Sequence, residues 1–203
     1  MIRSTVKNIV WVLRGGYKPK RFWDSWAHDF IRDPWQVKTH SQHKWLAGII
    51  KKEKPETILE VGCGFGRNIK FLIKEGIDPS KIRGSDISQN MIDLAKEFIG
   101  NSKVQLITSD ILNFNSREKF DFVFTHGVLM HVAPIDIKKT IKKIFLLSKK
   151  HIIFIEQNYP ADNDYTFIHD YKNLIKSEKS DIIEYRSDKK LGLDLIYVKV
   201  RKK

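Results

Sequence analysis

A chain of 203 residues with 41% hydrophobic and 11% aromatic residues can bury the core of one α/β domain, and its composition argues against wholesale disorder. Its single cysteine, Cys63, excludes an internal disulfide framework and a cysteine-based zinc site, so a reducing cytoplasm is the expected compartment. The net charge of +13 favours an anionic partner: nucleic acid, a phosphorylated metabolite or a membrane surface. The lysines are dispersed along the chain, so an ordinary solvated surface is an equal alternative.

The N-terminal part of the chain predicts helices and no membrane span. The apolar run over residues 9–13 is too short to cross a bilayer and fits an amphipathic helix, with contact to a membrane surface or a partner as an alternative. Trp23, Trp26 and Phe30 are spaced three and four residues apart and therefore share one helical face. We expect residues 1–41 to form a helical lid and residues 42–203 to form the main domain. Trp23, Trp26 and His40 are candidate substrate-binding residues of the lid, although the aromatic face can equally dock on the core.

A glycine turn follows the first predicted strand. A helix is expected over residues 42–52, a strand over 58–61, three glycines at Gly62, Gly64 and Gly66, and a helix over 68–74. Glycine permits positive φ and lets a ligand approach the backbone closely. The spacing G-x-G-x-G differs from the G-x-G-x-x-G of pyrophosphate-binding turns and lacks the ending of a P-loop. Glu60, two residues before the turn, would repel a phosphate and suits an ammonium group.

Residues 57–68 (TILEVGCGFGRN) resemble motif I of the class I S-adenosylmethionine-dependent methyltransferases. The resemblance implies that the glycine turn passes under the methionine and ribose of S-adenosyl-L-methionine. An ordinary tight turn between strand and helix is the alternative. The cofactor-binding residues implied within this stretch are Glu60, Gly62, Gly64, Gly66 and Asn68.

The next two strands supply two further acids. A strand over residues 81–86 ends at Asp86, about 20 residues past the glycines, where an acid can bind both ribose hydroxyls, with Ile87 beside it. Ser88 fits the N-cap of the helix that follows. After a third strand over residues 104–108 come Asp110 and Ile111. By resemblance to the family, Asp110 binds the adenine amino group and Ile111 packs on the ring.

The remaining elements complete the family's pattern. A buried strand over residues 120–125 leads into residues 125–134 (THGVLMHVAP), which resemble the V-L-x-H-hydrophobic-x-P segment of the family. A helix over 135–147, a strand over 151–156 and two strands near 181–186 and 193–199, joined by a hairpin at 189–192, follow. The resemblance covers residues 42–200. It implies an α/β, Rossmann-like fold with a mostly parallel seven-stranded sheet and a C-terminal antiparallel hairpin.

Methyl transfer needs alignment and exclusion of water, and a base only when the acceptor must lose a proton. His126, at the tip of the fourth strand, is the favoured catalytic residue, either as base or to orient the acceptor, and it can also contact the cofactor. His131 and His169 are further catalytic candidates, with structural packing as the alternative for His131. The other candidate substrate-binding residues are Arg67, Asn158, Tyr159, Tyr165, His169 and Tyr171.

The chemical class of the methyl acceptor is inferred mainly from motifs that the sequence lacks. No Asn/Asp-Pro-Pro-Tyr/Phe motif follows the fourth strand, no second cysteine can attack a pyrimidine, and no metal-binding motif is present. The chain is similar to small bacterial methyltransferases of surface-polysaccharide and sugar modification, including those that methylate capsular phosphoramidate. We therefore expect a small anionic acceptor, with S-adenosyl-L-homocysteine as the product. An RNA methyltransferase and a non-catalytic cofactor-binding subunit are the alternatives, and the sequence predicts no oligomeric state.

Overall fold

A seven-stranded sheet forms the centre of the computed structural model, which describes residues 16–161, 163–178 and 180–201. The predicted helix around residues 9–13 lies outside these ranges. The strands are β1 (Ile58–Val61), β2 (Ile82–Asp86), β3 (Gln105–Thr108), β4 (Phe120–His126), β5 (Ser148–Gln157), β6 (Ser180–Asp188) and β7 (Leu193–Val200). The α-helices are α1 (Pro19–Arg32), α2 (Pro34–Val37), α3 (Ser41–Glu53), α4 (Arg67–Lys74), α5 (Gln89–Ile99), α6 (Ile137–Leu147) and α7 (Tyr171–Lys176).

The order of the strands places a crevice in the middle of the sheet. The order is β3-β2-β1-β4-β5-β7-β6, and the first five of these strands are parallel. β7 pairs antiparallel with both β5 and β6, which makes the predicted C-terminal hairpin. The chain reverses its direction of winding between β1 and β4. Ligands of open α/β sheets bind at such a point, outside the carboxyl ends of the strands.

Apolar side chains fill both faces of the sheet. On one face α3, α4 and α5 pack over a cluster that includes Ile58, Phe122 and Phe124. On the other face α6 and α7 cover Val123 and Phe154. Successive residues of a strand point to opposite faces, so neighbours in β4 belong to different clusters. The parallel strands are buried on both sides, which explains their almost continuous apolar sequence.

Most of the elements predicted from the sequence are confirmed within three residues, and so are the mostly parallel seven-stranded sheet and the C-terminal hairpin. Ser88 caps α5 as expected, because its hydroxyl accepts a hydrogen bond from the backbone N–H of Met91. The short helices α2 and α7 were not predicted. Within the part of the chain that the structure describes, no helix is both long and apolar enough to cross a membrane.

Candidate functional site

A cavity of about 270 Å³ lies at the carboxyl ends of β1, β2 and β4, in the crevice that the strand order creates. Its walls are the glycine turn, the residues that follow β2, β3 and β4, the first turn of α6, and the inner face of α1. Its volume is close to the lower end of the range for ligand pockets. Parallel strands therefore deliver residues from distant parts of the sequence to one site.

The glycine turn between β1 and α4 requires glycine for two different reasons. Gly62, Gly64 and Gly66 have φ of 69°, 53° and 85°, a region that other residues rarely adopt. A Cβ atom on Gly62 would lie 2.4 Å from Cγ2 of Val128. A Cβ on Gly64 would meet nothing within 4 Å, so this glycine leaves the backbone open toward the cavity. Gly62 therefore allows close packing against Val128, and Gly64 keeps the backbone accessible from the cavity.

Asp86 joins the tip of β2 to the glycine turn. Its carboxylate accepts hydrogen bonds from the backbone N–H groups of Gly64, at 2.8 Å, and Ser88, at 2.9 Å. Burial raises the pKa of this carboxyl to about 6, although both hydrogen bonds favour the ionised form. Asp86 and Ile87 both line the cavity, in the place predicted for a ribose-binding acid.

The segment after β3 completes this side of the cavity. Asp110 and Ile111 both line it, as does the neighbouring Leu112. One carboxylate oxygen of Asp110 accepts a 2.8 Å hydrogen bond from the backbone N–H of Leu112, which fixes the turn. The other carboxylate oxygen of Asp110 remains as a hydrogen-bond acceptor, and the side chain of Ile111 beside it offers an apolar surface. An adenine has an amino group and a flat ring that would fit these two groups.

Glu60, Asn68 and His126 form a hydrogen-bonded chain at the carboxyl ends of β1 and β4. The Asn68 amide donates to Oε1 of Glu60 at 2.5 Å, and Oδ1 of Asn68 lies 3.0 Å from Nδ1 of His126. Because that amide oxygen can only accept, Nδ1 of His126 carries the hydrogen, and Nε2 is left as an acceptor. Burial, followed by the positive charge of Arg67, holds the pKa of His126 well below its usual range.

Glu60 stands behind Asn68 and does not line the cavity. Its side chain is fully buried, and burial raises the pKa of the carboxyl to about 8. Oε2 of Glu60 has no hydrogen-bond partner within the described residues. Glu60 therefore acts on the cavity indirectly, by fixing Asn68 and by its charge near Arg67 and Asp86, all three of which line it.

Arg67 brings a positive charge to the same end of the cavity. Nη1 donates to the backbone carbonyl and the side-chain oxygen of Gln36, at 3.0 and 3.1 Å. Among the described residues, no carboxylate oxygen lies within 4 Å of this guanidinium. A partly buried cation without a paired anion, lining a cavity, is suited to binding an anionic group.

His131 and Trp23 line the cavity between the β4 loop and α1, with ring centroids 4.9 Å apart. Nδ1 of His131 lies 2.9 Å from the carbonyl oxygen of Tyr165, so this nitrogen donates and Nε2 is the acceptor. Burial lowers the pKa of His131 to about 4. Tyr165 therefore positions His131 instead of lining the cavity itself.

Helix α1 is held over the cavity by a polar contact that sequence reasoning missed. The Asp24 carboxylate accepts a 2.7 Å hydrogen bond from the hydroxyl of Ser88, and the Asn90 side chain donates to the Asp24 carbonyl at 2.8 Å. Trp23 and Phe30, on either side of Asp24, line the cavity. Helix α1, part of the segment predicted to be a lid, thus lines the cavity and is attached beside Asp86. Trp26 lies outside the cavity, packed against Phe30 within the aromatic face of the helix.

Glu156, near the end of β5, is a structural residue of the site. Its buried carboxylate accepts hydrogen bonds from the Thr125 hydroxyl at 2.7 Å and from the backbone N–H groups of Val128 and Leu129 at 3.0 and 2.9 Å. Burial raises the pKa of Glu156 to about 7. This carboxylate fixes the loop that carries both His126 and His131. These contacts could not be read from the sequence, because only the pairing of β4 with β5 brings the residues together.

Five other predicted site residues lie away from the cavity, each with another role. His169 donates through Nε2 to the carbonyl of Val132 at 3.0 Å. Asn158 donates to Asp194 in the C-terminal hairpin. His40 stacks on Trp35 and precedes α3. Tyr171 is buried in the core, and Tyr159 packs against Gly192. In this geometry none of them is placed to contact a ligand of the cavity.

Comparisons with known proteins agree with this geometry. Residues 58–151 match a family model described as a methyltransferase domain. A malonyl-[acyl-carrier protein] O-methyltransferase of Ilyobacter polytropus is 34% identical over 98 residues, which cover 48% of this chain and 36% of that protein. A tRNA N(3)-methylcytidine methyltransferase of Schizosaccharomyces pombe is 26% identical over 174 residues, 79% of this chain and 55% of that protein.

Among solved structures, the magnesium protoporphyrin IX methyltransferase of Synechocystis, with bound S-adenosyl-L-homocysteine, has a TM-score of 0.74 at 14% identity. The similarity covers 90% of this chain and 98% of that one, and it confirms the predicted fold. The chain matches between about a third and about half the length of the curated relatives named above. Residues 58–151 therefore resemble a methyltransferase domain, and the chain has the Rossmann-like fold of the solved methyltransferases.

Proposed function

We propose that this chain transfers a methyl group from S-adenosyl-L-methionine to an oxygen of a small anionic acceptor. The observation that carries the proposal is the convergence, in one cavity, of the glycine turn, Asp86, Asp110 and the unpaired cation of Arg67. In this proposal the backbone of the glycine turn contacts the sulfonium segment of the cofactor, and Asp86 binds the ribose. Asp110 binds the adenine, and Arg67 binds the carboxylate. Solved neighbours with the same fold contain S-adenosyl-L-methionine or S-adenosyl-L-homocysteine, which supports this choice of cofactor.

Each wall of the cavity has an assigned role in the proposal. Asp86 accepts hydrogen bonds from the ribose hydroxyls, and Asp110 with Ile111 binds the adenine. Arg67 binds the carboxylate of the methionine end. Nε2 of His126 accepts a hydrogen bond from the ammonium group. Burial and the charge of Arg67 keep the ring neutral, and the contact with Asn68 puts the hydrogen on Nδ1 and the lone pair on Nε2.

When bound, the cofactor supplies an electrophilic methyl group, and attack by an acceptor oxygen breaks the carbon–sulfur bond, leaves the electron pair on sulfur and yields S-adenosyl-L-homocysteine. The chain contributes alignment and a dry cavity, because α1 covers the site with Trp23 and Phe30. An anionic oxygen is already deprotonated and needs no base. His131, which is neutral and held by Tyr165, then orients the acceptor. It accepts a proton only when the acceptor oxygen belongs to a hydroxyl group.

Two observations support an anionic acceptor. The net charge of +13 attracts anions to the protein. The relatives from Ilyobacter polytropus and Anoxybacillus flavithermus are named for O-methylation of a malonyl group on an acyl-carrier protein, and malonyl carries a free carboxylate. Phosphorylated and phosphoramidate groups of surface-polysaccharide and sugar modification offer the same kind of oxygen, and they belong to the same proposed class.

RNA methylation is the second candidate. It is favoured by the same net charge and by the relative from Schizosaccharomyces pombe, whose name describes a tRNA methyltransferase. An RNA substrate predicts binding that weakens steeply as salt concentration rises.

The test is transfer of a labelled methyl group from S-adenosyl-L-methionine to a panel of acceptors. The panel contains malonyl thioesters, phosphorylated and phosphoramidate compounds, nucleotide sugars and bulk tRNA. Label in the small-molecule or carrier-bound acceptors supports the proposal, whereas label only in tRNA supports the second candidate. Tight cofactor binding without label in any acceptor would contradict both, and it would favour a non-catalytic cofactor-binding subunit.

A further inference from the structure

The outer face of α6 combines unpaired lysines with two exposed aliphatic side chains. Ile135 is 60% exposed and Leu146 is 55% exposed, the two highest values among the large hydrophobic residues that the structure describes. Between them the helix presents lysines in two adjacent pairs. The α6 outer face consists of Ile135, Lys138, Lys139, Lys142, Lys143 and Leu146. At 100° per residue the five positions that belong to the helix fall on one side of it, and Ile135 lies in the turn just before its first residue.

The charge of this face is not neutralised by its surroundings. Residues 137–150 contain six lysines and no acidic residue. Lys139 pairs with Asp136 at 3.7 Å, and Lys150 pairs with Asp121 at 3.1 Å. For Lys138, Lys142 and Lys143, no carboxylate oxygen of the described chain lies within 4 Å. Like charges four residues apart on a helix destabilise it slightly, so the fold itself gains nothing from them.

The α6 outer face lies next to the cavity. Asp136 and Thr140, on the adjacent side of the same helix, line the cavity wall. A molecule that rests on the outer face would therefore stand beside the site. Ile135 precedes α6 and Leu146 lies in its last turn, so the face extends along the 11 residues of the helix, about 16 Å or three helical turns.

We propose that the α6 outer face docks an acidic carrier protein to which the acceptor is covalently attached. Lysines attract the acidic surface of the partner, and Ile135 and Leu146 provide the apolar anchors that protein interfaces place among charged residues. The tethered acceptor then enters the cavity past Asp136 and Thr140. The inference rests on the proposed function, and it names the partner that delivers the acceptor.

The composition of the face favours a protein over a nucleic acid. It contains neither an arginine nor an aromatic residue, the side chains that bind phosphate in a bidentate manner and stack on bases. A phosphate backbone offers no apolar surface against which Ile135 and Leu146 could be buried. Against an amphipathic acidic helix, both the lysines and the aliphatic residues have partners.

The experiment compares two variants of the full chain that have the same net charge. The test variant is K138E/K142E/K143E on the α6 outer face. The control variant is K52E/K74E/K103E, whose exposed lysines lie on or next to the helices of the opposite face of the sheet. None of the six lysines lines the cavity. The probes are a malonyl-loaded acyl-carrier protein and malonyl pantetheine, which carries the same thioester without the protein.

Binding of the carrier protein is measured by calorimetry, and methyl transfer to both probes is measured separately. We expect the test variant to lose about tenfold or more in carrier affinity and in kcat/KM for the carrier-bound acceptor. Transfer to malonyl pantetheine and affinity for S-adenosyl-L-homocysteine should not change in either variant. The Leu146→Asp variant should also weaken carrier binding, because it removes an apolar anchor.

Three results would overturn the docking proposal: no binding of the carrier protein by the unmodified chain, an equal loss in the control variant, or loss of tRNA binding in the test variant alone. A failure of the proposed function would look different. In that case the carrier protein would bind through the α6 outer face, but no acceptor, tethered or free, would receive a methyl group.

Discussion

Oδ2 of Asp86 accepts a 2.8 Å hydrogen bond from the backbone N–H of Gly64, so the tip of β2 is tied directly to the glycine turn after β1. The other carboxylate oxygen accepts from the backbone N–H of Ser88, whose hydroxyl bonds to Asp24 of the covering helix. The turn, the acid and the lid are thus linked through two side chains. In the proposed function this linkage sets the positions of the methionine and ribose parts of the cofactor relative to each other.

The contact between Gly62 and Val128 predicts a specific rescue. Gly62→Ala should destabilise the fold by about 2–4 kcal/mol, because the new Cβ clashes with Val128 and the backbone keeps φ at 69°. Adding Val128→Ala should recover part of this loss by removing both Cγ atoms. Gly76→Ala is the control for backbone strain alone, since its φ is 90° and no atom lies near the new Cβ. Urea unfolding measures all four proteins, and a double variant no more stable than Gly62→Ala would contradict the steric account.

The attachment of α1 through Asp24 predicts that this residue slows ligand release. Asp24→Ala removes the acceptor of the Ser88 hydroxyl, so the lid should open more readily and S-adenosyl-L-homocysteine should dissociate about three- to tenfold faster. Stopped-flow fluorescence can follow the release, because Trp23 lines the cavity. Asp29→Ala, at an exposed position of the same helix, is the matched control. Equal rates in the two variants would show that the contact does not hold the lid.

The buried carboxyl of Glu60 predicts a pH dependence of stability. Its pKa in the folded chain is about 8, above the usual value of 4.5, because burial disfavours the charge. Its contribution to the free energy of unfolding is therefore fully present below pH 4.5 and is lost as the pH rises through 8. Glu60→Gln removes the ionisation and keeps the acceptor for Asn68, so its stability should fall less than that of the unmodified chain between pH 5.5 and 8.

Urea unfolding at those two pH values measures the difference, with the exposed Glu97→Gln as the control. Identical pH dependence in the two variants would mean that Glu60 is already neutral, or already ionised, across the whole window. Either result would contradict a pKa of about 8 for the Glu60 carboxyl.

Local patterns were sufficient to predict the elements that build the fold. Gly62, Gly64, Asp86 and Asp110 each have a sequence signal that depends on nearby residues, and all four line the cavity, while Ser88 caps α5 as expected. Cofactor binding by these residues stays a prediction. Runs of apolar residues, and the alternation of apolar with polar residues, were likewise enough to predict the strands. The short helix α7 gave no such signal, because six residues provide too few positions for a helical period.

Contacts between distant residues could not be predicted. Glu156 binds the loop after β4, and only the pairing of β4 with β5 brings the two together. Tyr171 was predicted as a substrate-binding residue and is buried in the core, because α7 turns it inward. The spacing of the lysines on α6 follows from the predicted helix over residues 135–147, but only the structure shows that Ile135 and Leu146 are exposed beside them.

The unpaired guanidinium of Arg67 predicts a ligand-dependent loss of affinity. If Arg67 binds the carboxylate of the cofactor, Arg67→Gln should weaken binding of S-adenosyl-L-methionine about 10- to 150-fold. The same variant should bind decarboxylated S-adenosylmethionine almost as well as the unmodified chain does, because that analogue has no carboxylate to lose. Calorimetry with both ligands and both proteins measures the coupling energy between Arg67 and the carboxylate of the cofactor.

The alternative, that Arg67 holds an anionic acceptor, gives a different pattern. Arg67→Gln would then raise KM for the acceptor and leave the affinity for both cofactor analogues unchanged. An equal loss for both analogues would contradict both assignments, and it would indicate that Arg67 only supports the segment around Gln36.

The central claim is that the cavity binds the cofactor through Asp86, and titration calorimetry with S-adenosyl-L-homocysteine tests it most directly. The account predicts saturable one-to-one binding by the unmodified chain. It also predicts that Asp86→Ala loses this binding while the variant still unfolds in a cooperative transition. Absence of binding by the unmodified chain, or unchanged affinity in Asp86→Ala, would contradict the claim.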